Sequence, residues 1–200
     1  SDLPWMPDQD GNMTRESGYF QCTNRNKYSV AVDITTPEGQ ALIYEIAKTA
    51  DVVIENYKTG SLAKYGLDYA SLSELNPNIV YCSITGFGQD GPRAEEPGYD
   101  FIIQGMSGLM SITGEPDDVT GGGAQKVGVA VVDIQTGLYS TIAIQAALIA
   151  RSHTGRGQYI DMSLLDVQVA ALANQGMNYL ASGKAPQRID RKSTRLNSSH

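Results

Sequence analysis

Histidine and cysteine, the residues most often recruited for catalysis and metal binding, are almost absent from this 200-residue chain: His153, His200, Cys22 and Cys82 are all it has. A histidine-dependent triad or zinc site lacks material, and two cysteines make neither a disulfide framework nor a thiolate metal centre. No metal site is expected, and both cysteines read as buried thiols of an intracellular protein. The chemistry must come from carboxylates, amides and lysines. Ser163-x-x-Asp166 stands where an apolar run gives way to a helical pattern. Its spacing is that of a capping box, with Asp166 also complementing the helix dipole, and spacing alone favours that cap. Asn56 and Tyr57 follow the apolar run 51–55. A loop at the carboxyl end of a parallel strand is where α/β folds bind ligands. Lys64, a little further on, can act as a point charge for phosphate. Tyr57 and Lys64 fit a solvated turn as well, and Val32 fits core packing.

Three other signals mislead. Gly121-Gly122-Gly123 has no strand before it or helix after it, so it reads as a flexible loop. Gly86-Phe87-Gly88-x-x-Gly91 has a dinucleotide-loop spacing, yet Pro92 and Arg93 follow where a helix would have to start. Asp133 reads as the cap of a long helix.

The elements that position these residues alternate. Residues 1–25 are polar and broken by Pro4, Pro7, Gly11 and Gly18, which predicts loop. The pattern predicts a strand over 29–34, then a helix opened by Thr36-Pro37-Glu38: an N-cap, a proline at the first helical position and an acid in the first turn. A buried strand is expected over 51–55, a helix over 69–75 stopped by Asn76-Pro77, and a strand over 79–84. A glycine-rich stretch (86–98) leads to an apolar helix over 99–110. A long helix over 133–151 ends at Thr154-Gly155-Arg156-Gly157, and a strand over 158–162 and a final helix over 163–181 complete the pattern. Strands alternating with helices predict α/β architecture, a Rossmann-like, mainly parallel sheet with flanking helices. The organisation expected is an N-terminal loop region over 1–25, a partial large domain over 26–187, and a polar tail over 188–200. Within that tail, 191–200 (RKSTRLNSSH) resembles a translated sequencing adapter, and both ends of the chain read as truncated.

The net charge of −7 and pI near 4.7 argue against nucleic acid as a partner. No run of about 18 apolar residues could span a membrane, and residues 1–10 lack the pattern of a secretory signal.

Several segments in fixed order together resemble the class III coenzyme A-transferases, the carnitine and formyl coenzyme A-transferase family. They are Asn24-Arg25-Asn26-Lys27, Thr36-Pro37-Glu38-Gly39, Ala50-Asp51-Val52-Val53-Ile54-Glu55-Asn56-Tyr57 and Tyr81-Cys82-Ser83-Ile84-Thr85-Gly86-Phe87-Gly88. Pro97-Gly98-Tyr99-Asp100, Thr113-Gly114-Glu115-Pro116 and Thr154-Gly155-Arg156-Gly157-Gln158, running into Asp161-Met162-Ser163-Leu164-Leu165-Asp166, complete the set over about 19–185. The resemblance implies transfer of coenzyme A from an acyl thioester to a carboxylic acid, with Asp166 as nucleophile. It implies coenzyme A contacts at Asn56, Tyr57 and Lys64 and an adenosine-lining role for Val32 and Thr35. Coenzyme A thioester enters as substrate, with no resident cofactor. The partners implied are acyl-coenzyme A and acid substrates, with no nucleic acid, no membrane and an interlocked homodimer in the full-length protein. The cytoplasm is the expected compartment, or the mitochondrial matrix in a eukaryote. The stretch 174–183 is similar to dicarboxylate-type members and points to succinyl-coenzyme A as donor.

Two alternatives follow from the same residues. A 2-methylacyl-coenzyme A racemase of the same superfamily pairs a histidine with an aspartate. Its aspartate position matches Asp161, but its histidine position holds Tyr99. A non-catalytic coenzyme A-binding fragment would keep the Asn56–Lys64 region without needing the carboxylate at 166.

Overall fold

The computed structural model describes residues 5–188, which fall into a first unit ending at Asp33 and a second beginning at Ile34. In the first, β1 (Trp5–Pro7) pairs antiparallel with β2 (Met13–Ser17). The sequence pattern predicts loop here. The hairpin forms because Asp8 closes its turn, one carboxylate oxygen accepting from the backbone N–H groups of Asp10 at 2.9 Å and Asn12 at 2.8 Å. Ser17 caps the short α1 (Gly18–Thr23) by accepting from Phe20 N–H at 3.1 Å. That helix buries none of its residues, so Cys22 is exposed rather than buried as expected. The strand expected over 29–34 does not form. Alternating apolar residues need a neighbour to receive their backbone hydrogen bonds, and none of the described residues forms a ladder with this segment.

The second unit opens with α2 (Pro37–Ala47), capped by Thr36, whose hydroxyl accepts from Gly39 N–H at 3.1 Å. Then follow β3 (Val52–Glu55), a 3-10 turn at Ala63–Tyr65, α3 (Tyr69–Leu75) and β4 (Val80–Thr85). After the 86–98 loop come α4 (Asp100–Met106), the long α5 (Val131–Thr154), β5 (Tyr159–Ser163), α6 (Leu164–Ala171) and α7 (Asn174–Ser182). The sheet is parallel throughout, in the order β3-β4-β5. This is the α/β arrangement, a parallel sheet with flanking helices, that the alternation predicts.

The central strand is buried on both faces. Val80, Tyr81 and Cys82 are at most 1% exposed. Tyr81 packs with Ala47, Leu62, Leu67 and Leu72 on the α2–α3 side, while Val80 and Cys82 face Ile144 and Ala147 of α5. Each fully buried aliphatic side chain contributes about 1.5–3 kcal/mol, which is why a central parallel strand reads as unbroken apolar sequence. Burial pushes the Cys82 thiol above its ordinary range. β3 is an edge strand and less buried than its sequence predicts, with Ile54 exposed.

Two expectations about helices are corrected. The run 163–181 is two helices, broken at Ala173, which adopts a left-handed φ of 47° that no glycine or proline signals. Asp133 does not cap α5. Ala130 holds the cap position, and the first-turn N–H groups of Val132 and Asp133 donate to Asp100 Oδ1 at 2.7 and 3.3 Å. The cap therefore comes from a different helix, a placement that local spacing cannot reveal. No helix among the described residues is long and apolar enough to cross a membrane. Of the 188–200 tail, only Arg188 is described. Its guanidinium donates to the carbonyls of Ser111 at 2.9 Å and Glu115 at 3.0 Å and pairs with Asp117; residues 189–200 lie outside the described part.

Candidate active site

All three strands of the sheet end on the same edge, because they are parallel. The segments leaving them are Asn56-Tyr57-Lys58-Thr59 after β3, the 86–98 loop after β4, and α6 after β5. A cleft of about 410 Å³ opens there, lined by Asn56 to Thr59, Thr85, Gly86 and residues 94–99. This is the edge where parallel α/β sheets hold ligands.

Hydrogen bonds that span the strand ends set its shape. Asn56 Nδ2 donates to the Ile84 carbonyl, so the side chain ties β3's exit to β4. Tyr57 N–H turns back to Glu55 Oε2 at 2.7 Å, and Thr59 Oγ1 donates to the Ala94 carbonyl at 2.8 Å, joining the two walls. Gly86 and Gly98 approach so closely that a Cβ on Gly86 would sit 2.4 Å from the Gly98 Cα. Only glycine fits at either position. Arg93 lies 5.6 Å from the Phe87 ring centroid and 3.7 Å from Glu96.

Asp166 stands at the third position of α6 and its side chain is exposed. Ser163 Oγ accepts from Asp166 N–H at 3.2 Å, which makes one half of the capping box. No donor among the described residues reaches the Asp166 carboxylate, so the reciprocal half is not made and the carboxylate stays open. The start of α6 is bonded to the cleft: Leu165 N–H donates to the Gly86 carbonyl at 3.1 Å, and Ser163 Oγ reaches the same oxygen at 3.5 Å. Asp166 is thus one residue from a backbone bond to a cleft-lining residue, although its own side chain does not line the cavity.

Of the other residues singled out by sequence, Asn56 and Tyr57 line the cleft. Lys64 does not; it sits on the 3-10 turn with its ammonium 4.6 Å from the Tyr65 ring centroid. Thr35 is exposed in the turn before α2, and Val32 is half-buried in the first unit. The cation that does line the cleft is Lys58, which also borders a second cavity of about 200 Å³ beside Glu55, Tyr69, Tyr81, Ser83 and Tyr159. The only sequence signal of Lys58 is its place, a lysine in the first residues after a strand end, where a phosphate site would leave one. In that second cavity burial pushes the Tyr159 hydroxyl up, against the hydrogen bond it donates to Ser83 Oγ at 3.1 Å. Tyr81 is pushed up further, by burial first and then by Glu55. Neither phenol is a base at neutral pH.

The racemase reading is not favoured, since a tyrosine holds the position of its histidine. Tyr99 lines the cleft, while Asp161 Oδ2 accepts from the backbone N–H of Gln89 at 2.9 Å and lies beside Gly88.

A sequence profile described as CoA-transferase family III matches residues 2–200. The chain is 59% identical over 186 residues to a succinate–glutarate CoA-transferase of Agrobacterium fabrum, covering 93% of this chain and 45% of that protein. It is 47% identical over 173 residues to a succinyl-CoA:glutarate CoA-transferase of Mus musculus, covering 86% of this chain and 39% of that protein. The crystal structure of a CAIB/BAIF family protein from Brucella suis superposes with a TM-score of 0.86 at 55% identity, over 93% of this chain and 47% of that one. The chain therefore spans less than half the length of these relatives. A match running almost from end to end, on a fold of the same kind, leaves one assignment: the chain belongs to CoA-transferase family III.

Proposed function

We propose that the full-length protein transfers coenzyme A from succinyl-coenzyme A to a dicarboxylic acid such as glutarate, with Asp166 as the nucleophile. The observation that carries this reading is the open carboxylate of Asp166 on a helix start bonded to the Gly86 edge of the cleft. The activities for which two relatives are named support the substrate pair.

The chain's residues divide the work. Asp166 attacks the thioester carbonyl and expels coenzyme A thiolate, leaving a mixed anhydride of Asp166 with the donor acid. The thiolate attacks the Asp166 carbonyl, releasing the donor as a carboxylate and forming an aspartyl thioester. The acceptor carboxylate attacks that thioester, expels the thiolate and makes a second anhydride. Thiolate attack on the acceptor's acyl carbon releases the new thioester and restores the Asp166 carboxylate. Every step exchanges one acyl derivative for another, and the overall transfer from one thioester to another is nearly balanced in energy. No resident cofactor takes part. Asn56 and Tyr57 bind the coenzyme at the cleft, Lys58 and Lys64 supply positive charge for its phosphates, and Thr35 lines the adenosine. The working assembly is an interlocked homodimer, supported by the apolar side chains exposed along α5, among them Leu138, Ile142 and Ile149.

Hydroxylamine trapping of the full-length protein during turnover with succinyl-coenzyme A and glutarate tests the reading. The modified peptide is expected to carry its label on Asp166. Asp166→Ala is expected to abolish exchange, and Asp166→Glu, which moves the nucleophile by about one bond length, to lower it on the order of a hundredfold. Undiminished exchange by Asp166→Ala would overturn the assignment.

A further inference from the structure

The carboxylate of Asp161 has no part in the mechanism above, yet it sits at the root of the cleft. β5 pairs Asp161 with Ser83 of β4, so its side chain emerges close to where β4 gives way to the 86–98 loop. There Oδ2 accepts from Gln89 N–H at 2.9 Å, across 72 residues of sequence. Gly88, immediately before, turns at a φ of +89°, and a Cβ there would stand 3.5 Å from the same oxygen. Its N–H donates to Thr85 Oγ1 at 3.0 Å, in a buried setting. The loop thus leaves β4, folds over the end of β5 and is held there by a charged acceptor, which binds more strongly than a neutral one.

We infer that Asp161 is a positioning residue: it latches the root of the 86–98 loop to β5 and so sets the wall of the cleft that receives the acyl-coenzyme A. The loop's far half, Ala94 to Tyr99, is that wall, and Thr59 meets it through the Ala94 carbonyl. Asp166 is held through Ser163 and Leu165, which bond to Gly86, three residues before the latched Gln89. Losing the latch therefore affects substrate binding more than the chemical step. The inference rests on the transferase reading for its kinetic consequence but not for the latch itself.

Two variants of the full-length protein separate the roles. Asp161→Asn keeps an oxygen acceptor for Gln89 N–H, whereas Asp161→Ala keeps none. Asp161→Ala is expected to raise KM for succinyl-coenzyme A about tenfold with kcat within about threefold, since a hydrogen bond to a charged group carries roughly an order of magnitude or more. Asp161→Asn is expected to stay within about threefold in both. Amide hydrogen exchange across 86–91 should quicken about tenfold in Asp161→Ala and remain near the parent rate in Asp161→Asn. Equal loss of kcat in both variants, the mark of an acid or base, would overturn the inference, as would unchanged exchange in Asp161→Ala. Absence of coenzyme A transfer in the unaltered protein would instead sink the transferase reading, and the exchange measurement would still decide the latch.

Discussion

The two edges of the sheet are built from the same three strands and are chemically opposite. At the amino edge, backbone ends are stapled. Arg151, near the end of α5, donates to the Asn78 carbonyl at 2.9 Å and the Asp51 carbonyl at 3.4 Å, and pairs with the Asp51 carboxylate at 2.7 Å. Asn76 Nδ2 closes on the carbonyls of Ala47 and Ala50, both at 3.0 Å. At the carboxyl edge β3 and β4 end in loops held by single bonds and close glycine contacts, around a cavity with Lys58, Glu95 and Glu96 on its rim. A parallel sheet has little choice in this, since every strand needs a crossover and only one edge can be given to ligands. Stability is concentrated at one end so that polar, weakly held groups are tolerated at the other.

Breaking the glycine contact at the carboxyl edge should have the largest effect. Gly86→Ala places a methyl group about where the Gly98 backbone now lies. Backbone cannot swing aside as a flexible side chain does, so the cleft wall must move, at a cost of about 1–3 kcal/mol. Chemical denaturation should show the loss, and the same variant should bind acyl-coenzyme A poorly even where it is folded.

At the amino edge the order of effects reverses. Arg151→Ala removes hydrogen bonds to two carbonyls and one carboxylate, and is expected to cost about 1–2 kcal/mol, the exposed Asp51 carboxylate contributing little. The folded variant should keep its KM for acyl-coenzyme A, because no residue it touches lines the cleft. A raised KM with intact stability would erase the distinction between the edges.

How far the sequence discloses these edges depends on the range of each interaction. α2 is legible from Thr36-Pro37-Glu38, and the end of α3 from Asn76-Pro77, since the determinants lie within a few residues. Asn56 and Tyr57 are legible as a strand exit for the same reason. The break at Ala173, the unformed strand at 29–34 and the capping of α5 by Asp100 depend on partners tens of residues away or on backbone strain, which leave no local pattern. In the site, the Ser163 cap on Asp166 N–H follows from spacing, whereas the nucleophilic role assigned to Asp166 comes only from the family resemblance. The Gly86–Gly98 contact and the Asp161–Gln89 bond join residues that only the folded loop brings together.

The smallest effect expected sharpens the same contrast at the two ends of α5. Its carboxyl end carries Arg151 opposite Asp51, a neutralised pair. Its amino end carries two carboxylates, Asp100 and Asp133, beside one set of backbone N–H groups. Asp100 has the hydrogen bonds, including one from the buried Gln104 at 2.6 Å. Asp133 has the cost: burial first, and then the Asp100 charge, raise its pKa above the ordinary 3.8. An acid whose folded pKa is raised binds its proton more tightly in the folded than in the unfolded state. Its contribution to stability is therefore present below the unfolded pKa and is lost as pH rises through the folded one. Asp133→Asn removes that loss. The variant should unfold at a slightly higher denaturant midpoint than the parent at pH 7, and the two should converge as pH falls below 4. A parent already insensitive to the substitution at pH 7 would mean that the helix dipole offsets the charge of Asp133 as well as that of Asp100, and that the amino end of α5 is as well neutralised as the other.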